Sequence, residues 1–296
     1  MYQYIAPMPT TKPIMKRLNI RHAVRFQLWR SVDGAQAAVK AVSHGTLRAA
    51  CADRYDPAVG ADWFVDLLFP PRCPACRMRT SRVELCPGCQ RRLPPPPALL
   101  CEICGLPFAG VGSNHACAKC ALRPPHFSRA RALTTYRRGD PNPVVDIIER
   151  CKYGRDLSHL PVLAEMLAAQ TVLAIEHDVI VPVPLHRQRM RWRGFNQSAL
   201  LAQSLGRRAR RDVDVWSLAR GQATRPQVGL GELQRRRNVA GAFVVRRPAA
   251  VDGRTVLLVD DVMTTGSTLN ECARILLRAG VRRVDALVLA RALDHT

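Results

Sequence analysis

The chain has 296 residues, 45 Lys plus Arg against 23 Asp plus Glu for a formal charge of +22, and 47% apolar residues. That apolar share excludes a disordered chain, and no apolar run approaches the roughly 18 residues of a membrane-spanning helix. The opening residues, MYQYIAPMPTTKPIMKRLNI, hold no apolar segment behind a basic start, so no secretory leader is read and the cytoplasm is the expected compartment.

Residues 1–62 carry nine Lys or Arg against four Asp, with irregularly spaced apolar residues. Ile20 to Leu47 has the composition for one or two helices, but nothing there carries chemistry. A basic extension, poorly ordered or helical, is expected.

Residues 63–125 read as a metal-binding module. Of eleven cysteines, eight fall into Cys-x-x-Cys pairs: Cys73/Cys76, Cys86/Cys89, Cys101/Cys104 and Cys117/Cys120. Two cysteines at that spacing in a tight turn present both sulfurs to one ion, and two such turns complete a tetrahedral thiolate shell. Two structural zinc ions are expected. Sequential pairing closes shorter loops than crossed pairing, and both remain open. Gly88 and Gly105 sit where the turns call for positive φ. Cys51, Cys151 and Cys272 read as small hydrophobes. Leu93-Pro94-Pro95-Pro96-Pro97 should act as a stiff spacer between the clusters.

From residue 126 the pattern becomes strands alternating with helices, which implies a doubly wound parallel α/β sheet. Strands are expected at Arg129–Tyr136, Asp178–Pro184, Thr255–Val259 and Arg283–Ala290. Helices are expected at Asn142–Tyr153, Leu160–Ile175, Asn196–Arg207 and Thr268–Ala279. The last strand, loop, helix and strand form a βαβ unit. Arginines outnumber lysines 40 to 5, and the stretch Arg187–Arg211 holds eight arginines and no acid. Such a patch suits phosphates, although a generally arginine-rich surface also accounts for the charge.

The loop after Val256-Leu257-Leu258-Val259 is the chemical centre. Asp260 and Asp261 are adjacent carboxylates at the end of a buried strand, where they repel each other unless sugar hydroxyls or a metal ion engage them. Thr264, Thr265, Gly266, Ser267 and Thr268 then open a helix with hydroxyls, backbone N–H groups and the positive end of its dipole, a cradle for phosphate. This segment resembles the phosphoribosyl-pyrophosphate (PRPP) motif of type I phosphoribosyltransferases. The resemblance implies that Asp260 and Asp261 hold the ribose hydroxyls, that residues 264–268 hold the 5′-phosphate, and that Mg²⁺ accompanies PRPP.

Taken whole, residues 63–296 resemble the ComF family, which joins a zinc-ribbon module to a phosphoribosyltransferase-like domain. The match is carried by Cys-Pro-Ala-Cys at 73–76, Cys-Glu-Ile-Cys-Gly at 101–105, Lys152-Tyr153-Gly154, Val181-Pro182-Val183-Pro184, Arg193-Gly194-Phe195-Asn196-Gln197 and the PRPP loop. Gln227, Arg237-Asn238 and Gly241-Ala242-Phe243 extend it. It implies a role in natural competence, the uptake of transforming single-stranded DNA, beside competence helicase or DNA-processing proteins. A phosphoribosyltransferase of this kind displaces pyrophosphate with a nitrogenous nucleophile. Arg193 and then Arg187, in the expected pyrophosphate loop Pro184–Asn196, are the candidates to neutralise the leaving group, and Lys152 could reach the same pocket. Ala223 to Phe243 is expected to form a mobile loop hinged at Gly229 and Gly231, with Arg235, Arg236 and Arg237 as phosphate contacts. Two readings compete with catalysis: a module that grips single-stranded DNA by its 5′-phosphate and backbone, and a PRPP sensor without turnover.

Overall fold

The computed structural model describes residues 70–95, 97–108, 112–137, 139–154, 159–168, 176–222 and 232–293. The expected N-terminal helices, Cys51, Pro96, Gln227 and the hinge glycines Gly229 and Gly231 lie outside them. Pro71–Thr296 forms one compact unit.

Two short helices, α1 (Pro87–Gln90) and α2 (Ala118–Leu122), belong to the cysteine module. The sheet then begins with β1 (Arg129–Tyr136), followed by α3 (Pro143–Gly154), α4 (Leu160–Ala168) and β2 (Val179–Pro182). Next come α5 (Arg187–Arg193), α6 (Gln197–Ala209) and β3 (Asp212–Val213). A small antiparallel hairpin, β4 (Leu218–Arg220) with β5 (Phe243–Val245), flanks α7 (Glu232–Val239). The chain closes with β6 (Thr255–Met263), α8 (Ser267–Arg278) and β7 (Arg283–Ala292).

The main sheet is entirely parallel, in the order β1-β7-β6-β2-β3. Burial on both faces explains the apolar strands, and their side chains divide with period two. Val256 and Leu258 of β6 join the core under α8, whereas Leu257 and Val259 join the core under α3, α4 and α6. From β2 the chain winds outward to β3; from β6 it winds the opposite way to β7. The order therefore reverses between β2 and β6, and the crevice beyond their carboxyl ends is where an open α/β sheet takes its ligand.

The cysteine module is built onto the sheet. Its first cysteine set packs with the α3/α4/α6 face and its second with the α8 face, so the module straddles the edge strand β1. Arg150 Nη1 donates to Pro74 O at 2.9 Å on one side, and Ala130 N donates to Ile103 O at 2.6 Å on the other. An unpaired strand edge is thereby covered. Gly105, at φ +65°, is required there: a Cβ would stand 2.7 Å from Ala130 O.

The structure corrects several expectations. Strand β6 runs beyond Val259 to Met263, because Asp260 continues to pair with Val288 and Met263 with Arg291 of β7. The expected loop Pro184–Asn196 contains helix α5, capped by His186 Nδ1, which accepts from Gln188 N at 3.2 Å. Residues 232–239 of the expected mobile loop are helical. Gly88 lies within α1, and positive φ in the first cysteine set falls on Arg77 at +66°. Cys151 and Cys272 are fully buried. Among the described residues no helix is long and apolar enough to cross a membrane.

Candidate functional site

Two four-cysteine sets form as the sequential pairing requires. Cys73, Cys76, Cys86 and Cys89 make one, and Cys101, Cys104, Cys117 and Cys120 the other, each with all sulfurs within 4.8 Å of one another. Zinc–sulfur bonds of about 2.3 Å in a tetrahedron place sulfurs about 3.8 Å apart. The Cys104 and Cys117 sulfurs are 3.8 Å apart and those of Cys76 and Cys86 3.5 Å apart, so both sets fit zinc. Backbone N–H groups point at the ligands: Cys86 N donates to Cys73 Sγ at 3.4 Å, and Cys104 N and Cys117 N both donate to Cys101 Sγ at 3.3 Å. Burial works against the thiolates of Cys73 and Cys101, but these N–H groups prevail and lower their pKa values to about 6 and about 7. Burial instead pushes Cys104 up to about 11 and Cys89 up to about 12. Closed shells of four protein ligands mark structural and not catalytic zinc.

At the switch point, β6 delivers Asp260 and Asp261 to the crevice. Ser198 Oγ, from the first turn of α6, donates to Asp260 Oδ1 at 2.9 Å, as does Asp261 N at 2.9 Å. Asn196 fixes that turn: its Oδ1 accepts from Ser198 N at 3.1 Å and its Nδ2 donates to Val183 O at 3.1 Å. Lys152, at the end of α3, places Nζ 2.9 Å from Asp261 Oδ2. Burial and then the neighbouring Asp261 charge push Asp260 up to about 7, against the pull of the Asp261 N–H, Ser198 and Lys152. Two carboxylates this close share charge poorly, and Lys152 is the cation that offsets it.

Beyond the acids, Gly266 at φ +78° turns the chain into α8. The Thr265 and Ser267 hydroxyls lie 2.8 Å apart at the mouth of the helix. Thr264 lines the same concavity, and Thr268 lies within the first turn of α8. The loop therefore offers hydroxyls and the positive end of the α8 dipole to an anion.

Arginines of α5 and of the β4/β5 hairpin lie near one another, and one of them, Arg220, lies near Asp260. Arg193 Nη1 is held by Gln197 Oε1 at 2.9 Å, while its Nε is buried without a hydrogen-bond partner. Arg189 is half-buried, and its charge is disfavoured first by burial and then by Arg193. Arg220, on the β4/β5 hairpin, is buried over the Phe243 ring at 5.2 Å and senses both Arg189 and Asp260. Arg187 is exposed at the start of α5. Arg237 is exposed, and the side chains of Arg235 and Arg236 lie outside the described residues.

Sequence reasoning missed Ser198 and Arg220. The Asn-x-Ser pattern that caps α6 is a signal that marks Ser198, because a cap at Asn196 aims that turn at the crevice. No local pattern marks Arg220, whose three-residue strand is too short to read.

Known proteins agree with this architecture. The double zinc ribbon domain family matches residues 64–121, and the phosphoribosyl transferase domain family matches residues 201–296. DNA utilization protein YhgH of Escherichia coli K12 is 36% identical over 235 residues, covering 77% of this chain and all of that one. Competence protein F of Haemophilus influenzae is 33% identical over 234 residues, covering 75% of this chain and 97% of that one. Among solved structures, a glutamine PRPP amidotransferase from B. subtilis aligns at TM-score 0.30 and 21% identity, covering 43% of this chain and 25% of that one, too distant to carry an argument. With a double zinc ribbon, a phosphoribosyltransferase-like sheet and relatives of this identity and extent, the chain belongs to the ComF family.

Proposed function

We propose that the chain binds PRPP with Mg²⁺ in the β2/β6 crevice and transfers its phosphoribosyl group to a nitrogenous acceptor, in the service of DNA handling during competence. The observation that carries this reading is the Ser198–Asp260–Asp261–Lys152 array beside the residue 264–268 cradle. Asp260 and Asp261 would accept from the ribose 2′- and 3′-hydroxyls, and residues 264–268 would hold the 5′-phosphate. The carboxylates and the phosphate oxygens of PRPP are the hard donors that Mg²⁺ takes, and the ion supplies charge neutralisation for the departing pyrophosphate.

The chain's own contribution is positioning and electrostatics. Arg189, Arg193 and Arg220 gather positive charge that a pyrophosphate would neutralise. Lys152 keeps the acid pair from repelling itself before ligand arrives. Displacement at C1 builds positive charge on the ribose, and carboxylates below it favour that state over the ground state. The names of the relatives, DNA utilization and competence proteins, support the cellular setting, and cytoplasmic action fits it.

A second reading has its own observation. Helix α5 exposes Trp192 at 51% between Arg191 and Arg193, and Tyr153 is 65% exposed beside Arg189. Exposed rings among arginines suit single-stranded DNA, with bases stacked and phosphates paired.

Calorimetric titration of Mg·PRPP into the zinc-loaded chain and its Asp260→Asn/Asp261→Asn variant tests the first reading. Saturable binding lost in the variant is expected, followed by pyrophosphate release once an acceptor is supplied. Absence of binding in the wild type would refute it. Binding without release across a screen of bases and amines would reduce the chain to a sensor. Retained affinity for single-stranded DNA in Trp192→Ala would remove the second reading.

A further inference from the structure

We infer that Arg291 is a positioning residue that joins the second zinc centre to the phosphate loop, so that the metal helps hold the loop in its anion-binding form. Arg291 ends β7 and is only 7% exposed. Its Nη2 lies 3.6 Å from Cys104 Sγ, while Nε and Nη1 are buried and meet no hydrogen-bond partner. Among the described residues no carboxylate pairs with it. A buried guanidinium needs a counter-charge. A zinc ion held by four thiolates carries a net charge of −2, and N–H donors to such sulfurs are the outer contacts that orient a centre and tune its hold on metal.

The two centres differ in this respect. Near the first, Arg92 Nη2 lies 3.5 Å from Cys89 Sγ, but Arg92 is exposed and water can replace it. At the second, Arg131 adds a further tie, donating from Nη1 to Glu102 O at 3.0 Å within the Cys101–Cys104 turn.

The path from Arg291 to the loop is short. Arg291 pairs across the sheet with Met263. The Met263 side chain packs under the loop, with Cε 2.7 Å from where a Cβ on Gly266 would stand. A cavity of about 510 Å³ lies between the second centre and the loop, with Cys104 and Cys117 on one wall, Thr264, Thr265 and Ser267 on the other, and Arg291 among the lining residues. The second cysteine set and Met263 share one core cluster beside that cavity. The strand pair carrying Arg291 and Met263 braces the loop.

The consequence for PRPP rests on the reading above, but the coupling is tested without ligand. The full zinc-loaded chain and its Arg291→Met, Arg291→Lys and Arg92→Met variants are challenged with excess 4-(2-pyridylazo)resorcinol. Zinc release is followed by absorbance, and hydrogen exchange is followed over residues 263–268. Arg291→Met is expected to release one of its two zinc ions about tenfold faster or more, with exchange at 263–268 rising as that ion leaves. Arg291→Lys, which keeps the charge and loses the fork, should fall between, and Arg92→Met should match the wild type. Wild-type release from Arg291→Met overturns the inference. So does faster release with unchanged exchange at 263–268. If Arg291→Met does not fold, Arg291→Lys and stepwise zinc removal from the wild type decide the same question: exchange at 263–268 that ignores zinc overturns it. A failure of PRPP binding in a separate titration would refute the proposed function and leave this test intact.

Discussion

Replacing Lys152 by Met should destabilise the chain in a pH-dependent way. Lys152 Nζ lies 2.9 Å from Asp261 Oδ2, with side-chain exposures of 20% and 14%. Exposed ion pairs contribute about 0 to 1 kcal/mol, and breaking a fully buried pair costs about 3 to 5 kcal/mol. This partly buried pair falls between, at about 2 kcal/mol, or about 4 to 8 °C in melting temperature for a domain of this size. Asp260 is pushed up to about 7 by burial and by Asp261, so between its unfolded value and about pH 7 the folded chain holds a proton that the unfolded chain lacks. That stabilising contribution is complete at low pH and is lost as pH rises through 7. Without Lys152 the raised pKa climbs further, and above neutrality the variant confines two uncompensated carboxylates. Thermal unfolding of both proteins with zinc bound, at pH 5 and pH 8.5, checks this: the difference should be about 2 kcal/mol at pH 8.5 and smaller at pH 5, where Asp260 holds its proton and Lys152 offsets Asp261 alone. Equal losses at both pH values would refute the assignment of Lys152 as counter-ion to the acid pair.

Two further substitutions probe the loop and the opposite end of the sheet. Gly266→Ala places a Cβ in a positive-φ residue and 2.7 Å from Met263 Cε, so it should cost about 1 to 3 kcal/mol by chemical denaturation and weaken phosphate-loop ligands at least about tenfold. Asp285, 2% exposed, accepts from His177 Nε2 at 3.2 Å, Arg283 Nη2 at 3.2 Å and Arg129 Nη2 at 3.3 Å. Burial alone would raise its pKa, but these partners hold it below the usual carboxylate range. Asp285→Asn should therefore cost about 3 to 5 kcal/mol near neutrality. The gap should narrow as pH falls below about 4, the unfolded carboxylate's value, and close only once pH drops through the depressed pKa of the folded carboxylate.

Much of this architecture is legible in the sequence, because its strongest signals are local. Four Cys-x-x-Cys pairs specify their own turns, and the run from Val256 to Thr268 states strand, acids, cradle and helix in order. What escapes is set by partners distant in sequence. Strand β6 reaches Met263 only because Ala290 and Arg291 of β7 are there to pair with Val262 and Met263. Helix α5 hides behind prolines, its start marked by a His186 cap that resembles any polar loop residue. Lys152 meets Asp261, and Ser198 meets Asp260, through tertiary folding alone. The sequence places a cysteine module before the α/β domain and carries no signal for how the two meet. The structure shows that the ribbon covers the β1 edge and packs with both cores, which no spacing of cysteines reveals.

The placement of PRPP is decided by hydrogen exchange of the zinc-loaded chain with and without Mg·PRPP, resolved by peptide. Protection should concentrate in residues 260–268 and in the α5–α6 junction at 187–198, and it should vanish in Asp260→Asn/Asp261→Asn. Protection confined to other segments, or equal in wild type and variant, would contradict a PRPP site at the β2/β6 crevice.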